Sequence, residues 1–232
     1  RADDCYDMAR SVYDGRYLYV RHFMPQMPYF QNAVIFNKGG SYEEINRLRD
    51  QGKLPEGTER MFERKPAEQL FDLESDPREQ NNLVDDEELG DLVETLRGQM
   101  TSWMMDHYDT GLFNEGEMMV RASDKGTSVY EMARAYSRDD FSEILKAARM
   151  VGKVDDPADL IPFLESDDRA VRYWALVALD AFEGDLDAVE SRLTGLLGDS
   201  SCSVAGKAAE IKVKRYDDPE ALKVLEEILR HE

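Results

Sequence analysis

The stretch from Ala67 to Leu83, AEQLFDLESDPREQNNL, decides how the first part of this chain folds. Its apolar run, LFDL at 70–73, is typical of a buried strand. Pro77 lacks the N–H group that a sheet ladder needs and biases Asp76 away from helical geometry, so the strand ends before this pair. The asparagine pair at 81–82 offers side chains that bond nearby backbone and tolerate left-handed turns. The stretch therefore predicts a strand, a fixed turn and the entry to a helix.

A β-hairpin is predicted upstream of this stretch. Its strands cover 8–12 and 17–23, and they flank the sequence YDGR at 13–16, in which Asp-Gly is a strong signal for a two-residue turn. Alternation along the second strand puts its aromatic residues and Arg21 on one face. The opposite face carries two aliphatic residues and His22.

A helix is predicted between the hairpin and the strand at 70–73. Ser41–Glu44 has the form of a capping box, and Gly52 is the residue that a helix end prefers. These signals predict a helix from Tyr42 to about Gln51 that buries Ile45 and Leu48.

Three further segments complete the first part of the chain. Residues 24–40 form an ordered loop rich in aromatic residues, and 58–63 form a short helix. Apolar residues recur at helical spacing over 86–107, where the stripe includes Met100 and Trp103. We expect this stripe to be core, packed on one face of the small sheet, which gives an α+β layer arrangement.

The pattern breaks down over 108–125, which we interpret as a wandering connection interrupted by glycines. Ser128 and Ser137 then have the sequence context of helix N-caps. The second of these opens a helix over 141–151, which Gly152 ends.

The last part of the chain, 156–232, contains an internal repeat with an offset of 33 residues. Each unit has a helix, an acidic turn and a second helix, and a further helix begins at Asp218. The phrase DDRAVRYWAL at 167–176 resembles HEAT-type repeats, in which D-x-x-V-R-x-x-A recurs. The matched positions are Leu160 with Leu193, Leu164 with Leu197, Val171 with Val204 and Ala175 with Ala208.

These patterns predict an α+β fold in three parts. A small antiparallel sheet packed by a long helix occupies 1–122, and a helical connector occupies 123–155. An all-α, HEAT-like array of about two and a half units follows over 156–232, and we expect it to lean on the connector helices.

Composition excludes several classes of function. The formal net charge of −20 over 232 residues repels phosphate backbones and anionic lipid, so no nucleic-acid or membrane partner is expected. No apolar run approaches the roughly 18 residues that span a membrane. The polar first residues do not form a signal peptide, and we expect the chain to be a piece of a longer protein. The two cysteines, Cys5 and Cys202, form neither a disulfide framework nor a metal-spaced pair, and their redox state is left open.

The stretch at 67–83 also resembles a signature of the type I sulfatases, "(E)LYDLxxDPxExxNL", which lies near their carboxyl end. The order of the neighbouring segments is most similar to the N-sulfoglucosamine sulfohydrolase (sulfamidase) branch. The hairpin residues RSV at 10–12 and RYLYVRH at 16–22 resemble that branch as well, and the likeness covers about 5–150. It implies a periplasmic or secreted hydrolase that acts on a sulfate ester or sulfamate of an amino sugar, with calcium and a formylglycine.

The residues that the resemblance would need for catalysis are not found in this chain. The family oxidises a cysteine or serine in the motif C/S-x-P-S/A-x-R, whereas Cys5 is followed by YDMAR and Cys202 by SVAGK. The family's calcium ligands belong to a large amino-terminal domain. The three histidines are too far apart in sequence to indicate a zinc site, and the acidic residues at 185–190 are too sparse for a calcium loop. We therefore predict no catalytic residue, metal ligand or cofactor here, and an inactive fragment that shapes one side of a substrate cleft.

Two residues are candidates for substrate binding. The resemblance implies that the hairpin follows the catalytic domain directly, so Arg10 and His22 are placed to reach the rim of a sulfate pocket. Arginine suits a tetrahedral oxyanion because of its fork of donors. The alternative for Arg10 is an ordinary strand arginine that pairs with a surface carboxylate.

The predicted partners are the missing amino-terminal sulfatase domain and, through it, a sulfated sugar. A different class of function stays open: a non-catalytic interaction module whose helical array presents a surface to a protein partner.

Overall fold

The computed structural model describes residues 6–31 and 40–230. Cys5, residues 32–39 of the predicted loop and His231 lie outside the described residues. The chain divides into two compact units, one ending at Val84 and one beginning at Asp85, and each is described by itself. The domain ranges 1–122, 123–155 and 156–232 remain predictions.

The strands and helices are, in chain order, β1 (Ala9–Tyr13), β2 (Tyr17–His22), α1 (Gly40–Asp50), β3 (Glu68–Asp72), α2 (Gly90–His107), α3 (Glu115–Lys125), α4 (Val129–Arg134), α5 (Arg138–Met150), α6 (Ile161–Leu164), α7 (Arg169–Ala181), α8 (Glu190–Leu196), α9 (Cys202–Tyr216) and α10 (Pro219–Arg230). Short 3₁₀ turns are found at Glu59–Phe62, Glu87–Leu89, Thr110–Leu112, Pro157–Leu160 and Asp187–Val189. A small sheet and a helical carboxyl-terminal region confirm the predicted α+β class.

The first unit contains a three-stranded antiparallel sheet in the order β1-β2-β3. The hairpin prediction is confirmed, and the N–H of Asp14 donates to the Tyr17 carbonyl across a turn whose central residues are Gly15 and Arg16. The last pair of the ladder is Tyr13 with Leu18, and Asp14 Oδ1 accepts hydrogen bonds from the backbone N–H groups of Arg16 and Tyr17. Gly15 has a φ of 113°, which the absence of a side chain makes accessible.

The strand and turn predicted at 67–83 are present, and the side chain of Asn82 ties them together. Its Oδ1 accepts from the N–H of Leu70 at 2.9 Å, and its Nδ2 donates to the carbonyl of Glu68. The N–H of Leu83 donates to the Leu70 carbonyl, so the chain returns alongside β3. The left-handed residue of the turn is Glu79, with a φ of 54°, and not an asparagine.

Helix α1 differs from its prediction in two ways. It is described from Gly40, so Ser41 lies within the first turn and does not cap it. Ile45 and Leu48 are only partly covered, since α1 contains no buried residue. The predicted end is confirmed: Gly52 has a φ of 62° and donates to the Arg49 carbonyl.

In the second unit, α2 has the predicted position and buries four members of the apolar stripe: Val93, Leu96, Met100 and Met104. Trp103, which was expected in the core, is 50% exposed. It lies at the margin of the stripe and stacks on His107, with ring centres 4.9 Å apart.

The prediction of a wandering connection at 108–125 is wrong, because α3 occupies 115–125. The burial in this helix is the reverse of the usual amphipathic pattern: Glu117 and Arg121 are buried, while Met119 and Val120 are exposed. Its apolar residues therefore do not mark the buried face, so the pattern that reveals an ordinary amphipathic helix is missing.

The remaining helices pack in a row, with α5 against α7, α7 against α9 and α9 against α10. Helices α6 and α8 pack against α7 and α9 respectively. The starts of α7 and α9, Arg169 and Cys202, match the predicted offset of 33 residues, whereas the starts of α6 and α8, Ile161 and Glu190, do not. Helices α7 and α9 begin after Asp168 and Ser201, each of which accepts a capping hydrogen bond through its side chain. None of the described helices is long and apolar enough to cross a membrane.

Candidate functional site

The two residues predicted to bind substrate lie on opposite faces of the sheet. In the hairpin register Arg10 is paired with Arg21, and Ala9 with His22. Paired residues share a face and successive residues alternate, so the side chains of Arg10 and His22 project to opposite sides. The structure does not bring them together. Arg10 is half-buried and donates to the carbonyl of Ala9 at 2.7 Å.

The buried side chain of His22 lies in a group of polar side chains that are partly exposed. Its Nε2 is 2.8 Å from Oε1 of Gln69, and the same oxygen accepts a hydrogen bond from the Tyr29 hydroxyl, also at 2.8 Å. With Gln69 in this orientation, Nε2 carries the proton and Nδ1 is an acceptor. Nδ1 is buried and has no hydrogen-bond partner in the part of the chain that the structure describes.

An ion pair between a buried lysine and a partly exposed aspartate completes the group. The Lys65 side chain is 0% exposed, and its ammonium donates to the Asp7 carboxylate. The same ammonium lies 5.6 Å from the centre of the Tyr29 ring, within range of a cation–π contact. We call these five residues, Asp7, His22, Tyr29, Lys65 and Gln69, the His22 cluster.

Burial lowers the pKa of His22 below its ordinary value. The hydrogen bond to Gln69 and the charge of Asp7 act in the opposite direction, while the positive charges of Lys65 and Arg21 lower the pKa further. The imidazole is therefore neutral at pH 7, and the cluster holds one cation against one anion.

This arrangement makes the stability of the sheet dependent on pH. The unfolded chain protonates histidine below about pH 6.5, whereas the folded state resists the proton, so stability falls as the pH drops below that value. The loss is up to about 1.4 kcal/mol per pH unit until the folded pKa is reached. We expect hydrogen exchange of the β2 amides to be faster at about pH 5.5 than at about pH 7.5, after correction for the intrinsic rate.

Two variants test the assignment to His22. In His22→Gln the extra loss of protection between the two pH values should disappear, because the titrating group is gone. His107→Gln controls for the removal of an exposed histidine and should behave as wild type. An unchanged pH dependence in His22→Gln would contradict this account.

Sequence reasoning identified only one member of the His22 cluster. Gln69 shares a face with His22 because Val20 pairs with Gln69 across β2 and β3, and a prediction of this register would have found it. Tyr29 lies in the loop after β2 and Lys65 in the loop before β3, and the N–H of Lys65 donates to the Pro25 carbonyl between these two loops. No periodic pattern reveals such a contact.

The described residues do not fit the calcium or the formylglycine that the resemblance implies. Within residues 6–31 and 40–230, no three side chains of His, Cys, Asp or Glu are placed to share a metal ion. Cys202 is free and exposed. It is the first residue of α9 and is followed by Ser203-Val204-Ala205, without the proline of the family motif.

Comparison with known proteins gives one informative match. Over 114 residues, which are 49% of this chain, the sequence is 32% identical to an ulvan-active sulfatase of Formosa agariphila. The matched region covers 19% of that relative, so the chain spans a small part of its length. No protein-family model matches the chain. About half of the chain is thus related to a sulfatase.

Proposed function

We propose that this chain is the carboxyl-terminal part of a sulfatase, most similar to the sulfamidase branch, whose reactive centre lies in a preceding domain. The observation that carries the proposal is the 32% identity over 114 residues to a sulfatase. The fold of the 67–83 stretch supports it, because Asp76 and Asn82, both part of the sulfatase-like signature, hold the turn through side-chain hydrogen bonds to backbone N–H groups.

In this proposal the first unit shapes one side of the substrate cleft. The substrate class is a sulfated polysaccharide, cleaved at a sulfate ester or a sulfamate, and the location is periplasmic or extracellular. Calcium and formylglycine belong to the preceding domain. Only one face of the sheet can line the cleft, so Arg10 and His22 are separate candidates for its rim.

Sulfate release tests the proposal. We expect the purified 232-residue chain to release no sulfate from ulvan or from N-sulfoglucosamine, and the longer product of its gene to release sulfate with one of them. Free sulfate is measured by ion chromatography, with and without a calcium chelator. Release by the 232-residue chain alone, or a longer product that lacks the C/S-x-P-S/A-x-R motif, would contradict the proposal.

A protein-interaction module is the second candidate. It is favoured by α10, the final helix of the row, on which Leu222 and Leu229 are exposed. A longer gene product without the sulfatase motif would favour the module. In that case replacing Leu222 and Leu229 by glutamate should abolish partner binding and leave the fold intact.

A further inference from the structure

Tyr29 is an exposed aromatic residue whose position is fixed from several sides. The residue is 50% exposed. Its hydroxyl nevertheless donates to Gln69, and its ring packs edge to face against the His22 ring, with ring centres 5.6 Å apart. The Lys65 ammonium approaches the ring from within the cluster. An accessible ring that is held this way loses little conformational freedom on binding, which favours recognition.

The other strongly exposed tyrosine of the described first unit lacks this support. Tyr13 is 58% exposed, and its hydroxyl donates to the carbonyl of Gly15 in its own turn. Among the described residues, its ring makes no stacking or cation–π contact with a buried side chain. Tyr13 is thus a matched control for Tyr29, since it has similar exposure in the same sheet unit.

We propose that Tyr29 is a carbohydrate-binding residue, whose exposed ring packs against the apolar face of a sugar ring, and that His22 and Gln69 position it. The inference rests on the proposed function and names the part of the substrate that this unit recognises. The Asp7 carboxylate is 30% exposed beside Tyr29 and is an acceptor for sugar hydroxyls.

The cluster selects the sugar ring and not its sulfate group. Its cation, Lys65, has a fully buried side chain that is already paired with Asp7. Around Tyr29, in the described part of the chain, one exposed cation, Arg60, is offset by two anions, Asp7 and Glu79. A sulfate group therefore meets no net positive charge here. Binding at Tyr29 should be independent of sulfation and only weakly dependent on salt.

Calorimetric titration of the full 232-residue chain with ulvan oligosaccharides, and with the same oligosaccharides after chemical desulfation, tests the proposal. We expect saturable binding of both forms with similar affinity. Tyr29→Ala should weaken binding about tenfold, the equivalent of losing one aromatic contact. Tyr13→Ala should stay within about twofold of wild type, and circular dichroism should show that both variants are folded.

The positioning role is tested at Gln69. Gln69→Leu removes the acceptor that His22 and Tyr29 share, so we expect weaker binding and increased motion of the Tyr29 ring in NMR relaxation of labelled tyrosine. Gln69→Glu keeps an acceptor oxygen and should restore both measurements. Equal loss in the two variants would refute positioning by this hydrogen bond.

Several results would overturn the assignment of Tyr29. These are the absence of saturable binding by wild type up to about 10 mM sugar, wild-type affinity in Tyr29→Ala, an equal loss in Tyr13→Ala, and loss of binding on desulfation. Sulfate release by the longer gene product without any effect of Tyr29→Ala would overturn this inference and leave the proposed function standing. Binding through Tyr29 without sulfate release by that product would support this inference and contradict the proposed function.

Discussion

Replacing Trp174 by alanine will lower the free energy of unfolding of the second unit by about 3–5 kcal/mol. Trp174 is 0% exposed in the middle of α7, which packs against both α5 and α9. Its indole N–H donates to the Leu112 carbonyl at 2.7 Å, so the residue also fastens the segment before α3 to the helical row. Truncation leaves a large cavity and a buried carbonyl without its donor.

Urea unfolding followed by circular dichroism at 222 nm measures the effect, since α2–α10 all belong to this unit. Trp174→Phe fills part of the cavity but lacks the donor, and should lose about 1–3 kcal/mol. Trp103→Ala is the matched control: it truncates the other tryptophan, which is half exposed, and should cost less than about 1 kcal/mol. Equal losses at the two tryptophans would contradict the placement of Trp174 in the core.

Strong local signals in the sequence were enough to predict much of this fold. The Asp-Gly turn and the alternation on either side of it identified the hairpin, and the capping serines Ser128 and Ser137 marked the starts of α4 and α5. Each of these signals acts within a few residues. Local chemistry therefore determines the structure there without help from distant contacts.

The hydrophobic pattern of the sequence did not predict α3, a helix whose buried contacts are mainly polar. In α3 the buried residues are Glu117, Arg121 and Ala122, whereas Met119 and Val120 are exposed, so the largest apolar side chains do not mark the buried face. Asn114 caps the start of this helix and Gly126 its end, but the partners of its buried polar residues, in α7 and before α9, lie far along the chain. Hydrophobic periodicity is a property of one segment and carries no information about such distant partners.

The candidate site could be predicted only in part, for a similar reason. His22 was identified from the hairpin, but the residues that define its chemistry come from three other segments. Tyr29 and Lys65 lie in loops, where the position of a side chain depends on tertiary contacts and not on a period. Strand alternation predicts which residues of one strand share a face. That Arg10 and His22 lie on opposite faces follows only when the register between the two strands is also known.

The polar contacts of α3 form a buried network that we expect to be highly sensitive to truncation. Arg121 donates to Glu117 at 2.8 Å and makes two bonds to Asp168, at 2.9 and 3.1 Å. Asp168 also caps α7 and accepts from the Tyr136 hydroxyl, while Glu117, which is 3% exposed, accepts from Ser201 at the start of α9. Arg121 thus bridges two carboxylates, and Arg169 of α7 lies 3.4 Å from Glu117 as a second cation.

Arg121→Met should therefore cost about 3–5 kcal/mol, because it leaves the carboxylate of Glu117 buried without its closest cation. Arg121→Met with Glu117→Gln should recover part of this loss, since the second change removes a buried carboxylate whose remaining cation, Arg169, is 3.4 Å away. Arg138→Met is the matched control: its pair with Asp106 at 2.8 Å is exposed, so it should cost less than about 1 kcal/mol. Urea unfolding compares the three variants with wild type. If the double variant is no more stable than Arg121→Met, the loss of stability arises from lost packing of the arginine and not from the buried carboxylate of Glu117.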